Sequence, residues 1–273
     1  MYPELFHIGP LPVRAYGLML AISFILGVLY IKHVVERDKR PFEPYLTIAT
    51  LMILGGVVGA RLFYVVFHLE EFAGHWTAVI NPFHEGQFGI AGLNLYGGVL
   101  LALVATIWYC RRTKLSVLET FDYFSPTLGI GLAVTRIGCF LNGCCYGVPT
   151  TLPWGVRFPD GSIPDFVFHG QYLHPTQIYS SLYGLLLFVL LNWMLPRKKF
   201  TGQLVAILFM AEATFRFVIE DIRYYENEMK FDLGCGTVTY NQVISVALFI
   251  AGLLIFAVQR RRAASGTKTD NPK

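Results

Sequence analysis

Charged residues are scarce in this sequence. Asp, Glu, Lys and Arg together make up 15% of the chain, whereas 54% of the residues are hydrophobic and the mean hydropathy is +0.50. Soluble globular domains usually contain about 25% charged residues. The deficit extends over the whole length, which excludes an ordinary soluble domain and predicts a protein that crosses a membrane several times. The lipid bilayer is therefore an expected partner, and nucleic acid is not.

Three other features are missing. The five cysteines are too few for a disulfide-based fold in a chain of 273 residues. No internal repeat and no low-complexity segment is recognisable. The first residues, MYPELFHIGPLPVRAYG, lack the basic segment that begins a signal peptide, so we expect the first apolar run to be retained as a helix.

Long apolar runs are what the sequence does contain. A helix that crosses a bilayer needs about 20 mostly apolar residues. Seven stretches meet this requirement: 16–35, 45–69, 93–109, 121–141, 175–195, 202–222 and 238–258. We therefore predict an all-α polytopic membrane protein with seven transmembrane helices.

The basic residues between these runs predict the orientation, because cytoplasmic loops carry an excess of Lys and Arg. Most of the 22 basic residues lie in alternate loops, at 32–40, 111–114, 197–199 and 260–273. This alternation places the N-terminus outside and the C-terminus in the cytoplasm. We expect one membrane domain over residues 1–262, with outer loops of about 70–92 and 142–174 that form arm or head segments. Residues 263–273 are expected to form a disordered cytoplasmic tail.

Ionisable residues inside apolar runs are candidates for function, because a charge is costly within a membrane. In the predicted orientation, the polar residues in or beside the spans lie near the outer leaflet: Arg61, Arg136, Arg216 and Glu220 late in outward-running spans, Arg223 just beyond, and Tyr16, Tyr96 and His174 at the start of inward-running spans. The candidate site is thus assembled from several helices at the outer side of the membrane.

The excess of arginine over carboxylate predicts an anion site. Arginine forms bidentate hydrogen bonds with phosphate, and the abundant anion at this depth is a phospholipid headgroup. Arg216 and Glu220 are four residues apart, so an ion pair between them is an alternative, with Arg223 on the same helical face. For Arg61, snorkelling or a helix–helix hydrogen bond is an equal alternative. An anion or lipid transporter is the main rival function, although the charges do not continue to the cytoplasmic face.

The segment TRIGCFLNGCCYG, residues 135–147, combines Arg136 with three cysteines and three glycines. Glycine permits irregular backbone whose N–H groups can face a ligand. The cysteines leave three alternatives open: free thiols, a disulfide with Cys235, or a metal site. No histidine has a helpful spacing, so we expect no metal. Gly55 and Gly59, by contrast, have the spacing of a helix-packing motif.

Six segments form an ordered series: RAYGLML, GGVVGARLFYVVF, LYGGVLLAL, TRIGCFLNGCCYG, HPTQIYSSL and FRFVIEDIR. In this order and spacing, from about Leu11 to Arg262, they resemble the segments of bacterial prolipoprotein diacylglyceryl transferases. TRIGCFLNGCCYG is similar to the family signature Gly-Arg-x-Gly-Asn-Phe-x-Asn-Gly-Glu-x-x-Gly. One such match would be weak, whereas six in order are specific for the family.

The resemblance implies seven transmembrane helices with an outward-facing head and flanking arms. It also implies a reaction at the bacterial cytoplasmic membrane, with the active site toward the periplasm. The sn-1,2-diacylglyceryl group of phosphatidylglycerol is transferred to the lipobox cysteine of a prolipoprotein, next to its signal peptide. The products are a thioether-linked lipid and glycerol 1-phosphate, in the first step of lipoprotein maturation, and no cofactor is implied.

The resemblance and the polar residues together predict the site. The residues expected to be catalytic are Arg136, Arg216, Glu220 and Tyr96. The residues expected to bind substrate are Tyr16, Arg61, Gly97, Gly98, Asn142, Gly147, His174 and Arg223. Arg136 and Arg216 are expected to hold the phosphate of the lipid.

Four positions depart from the family pattern: Tyr96 for a histidine, Cys139 for an asparagine, and Cys144 and Ser180 for glutamates. Tyrosine is a poor base near neutral pH. The group that accepts the thiol proton therefore stays open among Glu220, Tyr96 and His174. Glu220 alternatively only orients Arg216, and His174 before Pro175 equally fits turn chemistry at a helix start. A divergent member with a different acceptor is a further alternative.

Overall fold

The computed structural model describes residues 2–9, 11–72, 83–84, 87–88, 94–225, 230–232 and 237–266. Over these residues the protein is mostly helical and contains nine α-helices: α1 (Ala15–Arg37), α2 (Glu43–Phe67), α3 (Leu69–Phe72), α4 (Leu95–Arg112), α5 (Val117–Asn142), α6 (Ile163–Phe168), α7 (Thr176–Met194), α8 (Gln203–Ile219) and α9 (Tyr240–Gly266).

Short strands are an addition to the predicted all-α class. The same ranges contain four two-stranded sheets: β1 (Glu4–Ile8) with β2 (Leu11–Arg14), β3 (Phe83–His84) with β4 (Gln87–Phe88), β5 (Val156–Arg157) with β6 (Tyr172–Leu173), and β7 (Lys230–Asp232) with β8 (Thr237–Thr239). All of them lie before α1 or in the connections between long helices, where a hairpin pairs backbone groups that no helix uses.

Each of the seven predicted stretches coincides with a helix. Five helices are long and apolar enough to cross a membrane: α1, α2, α5, α9, and α7 together with the 3-10 turn that extends it to Arg197. α4 and α8 are shorter, with 18 and 17 residues. α8 ends at Ile219, before the predicted end at residue 222, because the chain tightens into a 3-10 turn over Glu220–Ile222. The chain is thus a helical, multi-pass membrane protein.

The chain forms two compact units. The first unit contains Met1–Leu5, Arg14–Gly27 and Phe121–Lys273, and the second contains Phe6–Val13 and Val28–Thr120. Most of the predicted site residues belong to the first unit. The second unit holds the remaining four: Arg61, Tyr96, Gly97 and Gly98.

In the second unit, α2 and α4 pack through glycines. A Cβ atom on Gly59 would collide with the carbonyl oxygen of Gly97, and one on Gly98 would lie 2.6 Å from that of Gly56. At Gly55, a Cβ atom would lie 3.2 Å from the backbone of α4. These contacts leave no room for side chains, so the two backbones approach closely, as small residues permit in membrane helices. The packing role predicted for Gly55 and Gly59 is confirmed.

In the first unit, glycines bring α5 against α7 and α1. A Cβ atom on Gly129 would lie 2.6 Å from a backbone nitrogen of α7, and one on Gly138 would lie 3.1 Å from the Cα atom of Tyr16. α8 packs on α9 in the same way, with the Cβ position of Gly252 2.9 Å from the carbonyl oxygen of Ala206. These close approaches fix the helices that carry the candidate site.

The connection between α5 and α7 folds into a small head. β5 pairs with β6, and Val156 lies opposite Leu173. The core of the head is aromatic and apolar: Tyr146, Phe158 and Leu173 are buried, and Phe140, Val156, Phe168 and Tyr224 pack against them. The predicted loop 142–174 therefore has its own core. Most of the other predicted outer loop, 70–92, lies outside the described residues.

Helix α9 continues through Gly266. Residues 263–266 of the predicted disordered tail are therefore helical, which corrects the predicted boundary. Arg and Ala, which are frequent at this end of α9, are strong helix formers, and they extend the helix despite the polar composition. Residues 267–273 lie outside the described part of the chain.

Candidate active site

Three arginines of the first unit lie close together: Arg136 on α5, Arg216 near the end of α8, and Arg223 after the 3-10 turn. Arg136 and Arg216 both interact electrostatically with Glu212. Arg136 and Arg223 both interact with Cys145, and Arg216 and Arg223 both interact with Tyr225. Every pair of these arginines thus has a common electrostatic neighbour, so the three positive charges act on the same part of the first unit.

Within the described residues, no carboxylate pairs with the guanidinium groups of these arginines. No described carboxylate oxygen lies within 4.0 Å of any of them. Nε and Nη1 of Arg223 are buried and have no hydrogen-bond partner among the residues that the structure describes. The guanidinium carbon of Arg223 lies 4.9 Å from the centre of the Tyr225 ring. Buried donors without acceptors are costly, so the group is suited to hold an anion with several oxygen atoms, such as a phosphate.

Glu220 has different partners from the predicted ones. Its carboxylate is 4% exposed and accepts hydrogen bonds from Tyr225 Oη at 3.1 Å, Thr239 Oγ1 at 3.0 Å and Asn241 Nδ2 at 2.7 Å. The alternative of an ion pair with Arg216 is not formed, since no carboxylate oxygen of Glu220 lies within 4.0 Å of an Arg216 nitrogen. The carboxylate instead faces Tyr225, Thr239 and Asn241, which occupy its acceptor oxygens.

Backbone pairing positions Arg223. Gly147 and Arg223 form an antiparallel bridge, flanked by backbone hydrogen bonds of 3.0 and 3.1 Å. A Cβ atom on Gly147 would lie 2.6 Å from both the His174 Cβ atom and the carbonyl oxygen of Ile222. Gly147 therefore lies where three chain segments meet, and a side chain does not fit there. Arg223 has extended backbone at the end of the 3-10 turn, which allows this backbone pairing.

His174 is half-buried and oriented by its neighbours. Its Nδ1 atom lies 3.3 Å from Tyr179 Oη, which also accepts a hydrogen bond from Trp154 Nε1 at 2.8 Å. Nε2 has no hydrogen-bond partner among the residues described. Pro175 takes the N-cap position of α7, which begins at Thr176. His174 therefore takes part in the turn that begins α7, and its imidazole ring is also held in one orientation by Tyr179.

Three thiols converge in space: those of Cys139, Cys144 and Cys145. Their Sγ atoms all lie within 4.8 Å of one another, and all three cysteines are free. Hydrogen bonds with the Cys139 and Cys144 thiols, followed by the positive charges of Arg223 and Arg136, hold the pKa of Cys145 below its ordinary value. The predicted disulfide alternative involves Cys235, which lies outside the described residues.

Two predicted substrate-binding residues lie at the same end of α5 as Arg136. Asn142 is the last residue of the helix and lines a cavity of about 450 Å³ together with Tyr2, Pro3, Glu4 and Arg14. Tyr16 is 42% exposed and lies within electrostatic range of Arg136 and of the three thiols. Arg14, which the sequence analysis did not select, is a further cation at this end.

Three predicted residues begin α4 in the second unit. Tyr96 is 52% exposed. The Asn94 side chain caps the helix and accepts hydrogen bonds from the N–H groups of Tyr96 at 3.0 Å and Gly97 at 3.4 Å. Gly97 and Gly98 are buried against α2. Their packing is thus defined, while a role in substrate binding stays a prediction.

Arg61 lies on α2 beside the start of α4. The N–H group of Asn94 donates to the carbonyl oxygen of Ala60 at 2.9 Å, which ties the two helices together at this point. The guanidinium carbon of Arg61 lies 5.2 Å from the centre of the buried Phe72 ring. A cation over an aromatic face is a favourable contact, so Phe72 stabilises the Arg61 side chain in this position.

The ordered segments of the sequence match known proteins over nearly the whole chain. Residues 3–258 match the family described as prolipoprotein diacylglyceryl transferase. This match covers all the long helices up to the last part of α9. The chain belongs to the prolipoprotein diacylglyceryl transferase family.

Relatives named phosphatidylglycerol–prolipoprotein diacylglyceryl transferase are similar over their full length. The chain is 33% identical over 269 residues to the transferase of Nitratidesulfovibrio vulgaris, which covers 97% of this chain and 96% of the relative. It is 30% identical over 268 residues to that of Bordetella avium, with 96% of each covered. It is 29% identical over 264 residues to that of Vibrio cholerae, with 95% and 92% covered.

Three of the four departures from the family pattern lie in the first unit, on α5, in the turn after it and on α7. Cys139 and Cys144 stand where the pattern has Asn and Glu, and their sulfur atoms meet. Ser180, where the pattern has Glu, is buried and donates from Oγ to the carbonyl oxygen of Thr176 at 2.7 Å. Thiols thus replace the amide at position 139 and the carboxylate at position 144. At position 180 a hydroxyl that donates a hydrogen bond within α7 replaces a carboxylate.

Three polar residues of the candidate site were not predicted: Glu212, Gln177 and Tyr225. Gln177 is 0% exposed, and its Nε2 donates to the carbonyl oxygen of Cys144 at 2.8 Å, while its Oε1 is buried without a partner among the described residues. Glu212 precedes Arg216 by four residues, a spacing that the sequence itself displays. Tyr225 gives no such signal, because its position depends on how the chain folds after α8.

Proposed function

We propose that this protein transfers the sn-1,2-diacylglyceryl group of phosphatidylglycerol to the lipobox cysteine of a prolipoprotein. The names of its relatives give phosphatidylglycerol and a prolipoprotein as their substrates. The thiol sulfur forms a bond to the glycerol carbon, and the bond between that carbon and the phosphate oxygen breaks. Glycerol 1-phosphate leaves with the bonding electrons, and the thiol proton passes to a base.

The observation that carries the proposal is the cluster of Arg136, Arg216 and Arg223, which lacks carboxylate partners in the described part of the chain. Guanidinium groups bind phosphate through paired hydrogen bonds. Donors aimed at a developing charge often contribute the largest part of a rate enhancement. We assign Arg136 and Arg216 to the leaving phosphate and Arg223 to substrate binding.

The proton acceptor that we assign is His174. Its Nδ1 is oriented by Tyr179 and its Nε2 lacks a partner among the described residues. A base that is itself oriented by a third group is the usual arrangement for activating a nucleophile. Glu220 acts instead as a positioning residue, because three donors occupy its carboxylate and one of them, Tyr225, lies against Arg223.

An apolar groove between α7 and α8 is suited to the acyl chains of the lipid. It has a volume of about 570 Å³, and its lining includes Tyr183, Met210, Phe215 and Val218. Arg216 directly follows Phe215 on α8. A phosphate held by Arg216 would therefore leave the lipid tails beside apolar side chains.

We place the site toward the outer leaflet of the bacterial cytoplasmic membrane, with α1, α2, α4, α5, α7, α8 and α9 as the seven spans. The distribution of Lys and Arg in the loops supports this orientation, with the N-terminus outside and the C-terminus in the cytoplasm. The prolipoprotein cysteine is presented at the same face, next to its signal peptide.

The direct test uses the purified full-length protein in phosphatidylglycerol vesicles with a synthetic lipobox peptide. We expect the peptide to gain the mass of one diacylglyceryl group on its cysteine, and glycerol 1-phosphate to appear in equal amount. A Cys→Ser peptide and vesicles of phosphatidylethanolamine alone are the controls. A folded protein that gives no mass gain, or an equal gain with the serine peptide, would overturn the proposal.

The assignment of the proton acceptor has a separate test. His174→Gln keeps a polar side chain of similar length but removes the imidazole base, and general base catalysis is worth about 10²–10⁴-fold. We expect turnover to fall within that range with little change in KM. Unchanged turnover in a folded variant would move the role to another group without affecting the proposed reaction.

A further inference from the structure

Three sulfur ligands meet where α5 ends. The Sγ atoms of Cys139, Cys144 and Cys145 lie within 4.8 Å of one another. Cys139 is 6% exposed, and the other two are half-buried. The proposed transfer reaction gives these thiols no role. The cluster is therefore shielded from bulk water, open to a small ion, and without an assigned purpose.

The turn after α5 directs the three sulfurs to one point. Gly143 and Cys145 both have left-handed backbone, with φ of 78° and 65°. The N–H group of Cys144 donates to the carbonyl oxygen of Cys139 at 3.1 Å. A left-handed conformation is uncommon for a residue other than glycine. The backbone at Cys145 is therefore unfavourable, and it is part of the turn that brings the three thiols together.

Helix α7 fixes this turn from the other side. Gln177 Nε2 donates to the carbonyl oxygen of Cys144 at 2.8 Å, and Thr176 Oγ1 donates to that of Cys145 at 2.7 Å. Gln177 and Thr176 are 0% and 2% exposed. Buried hydrogen bonds hold the two carbonyl groups in place, so the sulfur positions belong to the fold and a bound ion would find the site largely formed.

The spacing fits one ion among three sulfurs. Metal–sulfur bonds of about 2.3 Å place three ligands around a single ion about 4 Å apart, within the observed limit of 4.8 Å. A disulfide would require two sulfurs about 2.0 Å apart, and the three cysteines are free thiols.

The ligand set selects the kind of ion. Structural zinc sites almost always have four ligands, whereas soft thiolates select Cu(I). In the ranges that the structure describes, no histidine or carboxylate joins the three thiols. Three thiolates around a monovalent ion leave a double negative charge, which the nearby Arg136 and Arg223 balance. We propose that Cys139, Cys144 and Cys145 form a three-coordinate Cu(I) site, which releases thiol protons to the solvent when it fills.

The test is a Cu(I) titration of the full-length protein in detergent, reduced and without oxygen, against a chromophoric Cu(I) chelator. We expect one Cu(I) per chain and, by X-ray absorption, a first shell of sulfur only. Cys139→Ser, Cys144→Ser and Cys145→Ser should each weaken binding by more than about 100-fold, beyond the usual loss from an outer-shell change. Thermal melting without copper shows that each variant is folded.

Two further cysteines serve as controls. Cys110→Ser removes a buried free thiol of α4 in the second unit, and Cys235→Ser removes the cysteine outside the described residues. Both variants should bind Cu(I) as the unchanged protein does. The proposal is overturned if the chelator removes all copper, if the triple Cys→Ser variant still binds it, or if Cys235→Ser abolishes binding. Failure here leaves the transfer reaction untouched, because its test measures lipid on a peptide.

Discussion

Two groups of buried charge in the first unit are built in opposite ways. The Asp122 carboxylate, near the start of α5, is 0% exposed and accepts hydrogen bonds from Lys198 Nζ at 3.2 Å and from three backbone N–H groups at the start of α8 at 2.8–3.2 Å. Arg136 lies about 21 Å further along the same helix. Neither it nor Arg216 or Arg223 has a carboxylate within 4.0 Å in the described residues.

This difference indicates that the Asp122 charge stabilises the fold, whereas the charges of the three arginines are available to bind a ligand. Asp122 caps α8, and the dipole of that helix favours a carboxylate at its N-terminus. Its acceptor capacity is used within the protein. The arginines keep donors that no described residue satisfies, and a phosphate would satisfy them. Substitutions near Asp122 should therefore change stability, and substitutions in the arginine cluster should change activity.

The largest effect is expected for Arg136→Ala. Removing a donor from a developing charge costs about 10²–10³-fold in turnover, and loss of this central guanidinium should bring lipidation of the peptide to the limit of detection. Arg136→Lys should be partly active at best, because an ammonium cannot form the bidentate contact. Arg197→Ala, on a basic loop of the same unit, is the matched control and should be fully active. Full activity of Arg136→Ala would remove Arg136 from the phosphate site.

Asp122→Ala should lower stability and leave activity unchanged, the opposite of Arg136→Ala. It leaves Lys198 and three N–H groups without their buried acceptor, and breaking a buried pair on one side costs about 3–5 kcal/mol. We expect a large drop in the melting temperature in detergent, with normal activity per folded molecule at low temperature. Asp160→Ala removes an exposed carboxylate, 84% accessible, and should change little. Loss of activity without loss of stability would contradict the comparison.

Glu220→Gln tests a residue that shares features with both Asp122 and the arginine cluster, because its carboxylate is buried and hydrogen-bonded but lies close to Arg223 through Tyr225. The amide keeps the shape but replaces one acceptor oxygen by a donor that faces Tyr225, Thr239 or Asn241. Hydrogen bonds to a charged group are worth about 1.5–3 kcal/mol, so we expect a moderate loss of stability. KM should rise, because the Tyr225 ring beside Arg223 loses its support. Glu36→Gln, at an exposed position, is the control, and an unchanged KM with lowered turnover would point to direct catalysis by Glu220.

The smallest effect is expected for Gly147→Ala. The added methyl group would lie 2.6 Å from His174 and Ile222, and overpacking of this kind costs about 1–3 kcal/mol. Gly131→Ala is the matched control, since a Cβ atom there meets nothing within 4 Å. The first variant should lose both stability and activity, and the second should lose neither. Equal behaviour of the two would show that the chain segments around Gly147 adapt easily.

The sequence predicted the long helices well, because apolar runs of spanning length have few other solutions. It also predicted Arg136 and Arg216 as site residues, because an arginine in an apolar run is conspicuous. The ion pair between Arg216 and Glu220, which the spacing offered as an alternative, is not formed, because Tyr225, Thr239 and Asn241 occupy the Glu220 carboxylate. These three residues lie further along the chain, so helical spacing does not reveal them. Gln177 was not selected although it lies in the segment HPTQIYSSL, because the sequence does not show that its amide is buried against the turn after α5.

The sequence by itself determined that the chain is a helical membrane protein, that several arginines lie within its apolar runs, and which family it resembles. These properties follow from composition and from residues near one another in the chain. Only the tertiary structure decided which polar groups meet. Backbone bridges bring Gly147 to Arg223, and a left-handed turn held by α7 gathers three thiols. Such contacts depend on where each helix ends and how the next segment returns, which no local pattern specifies.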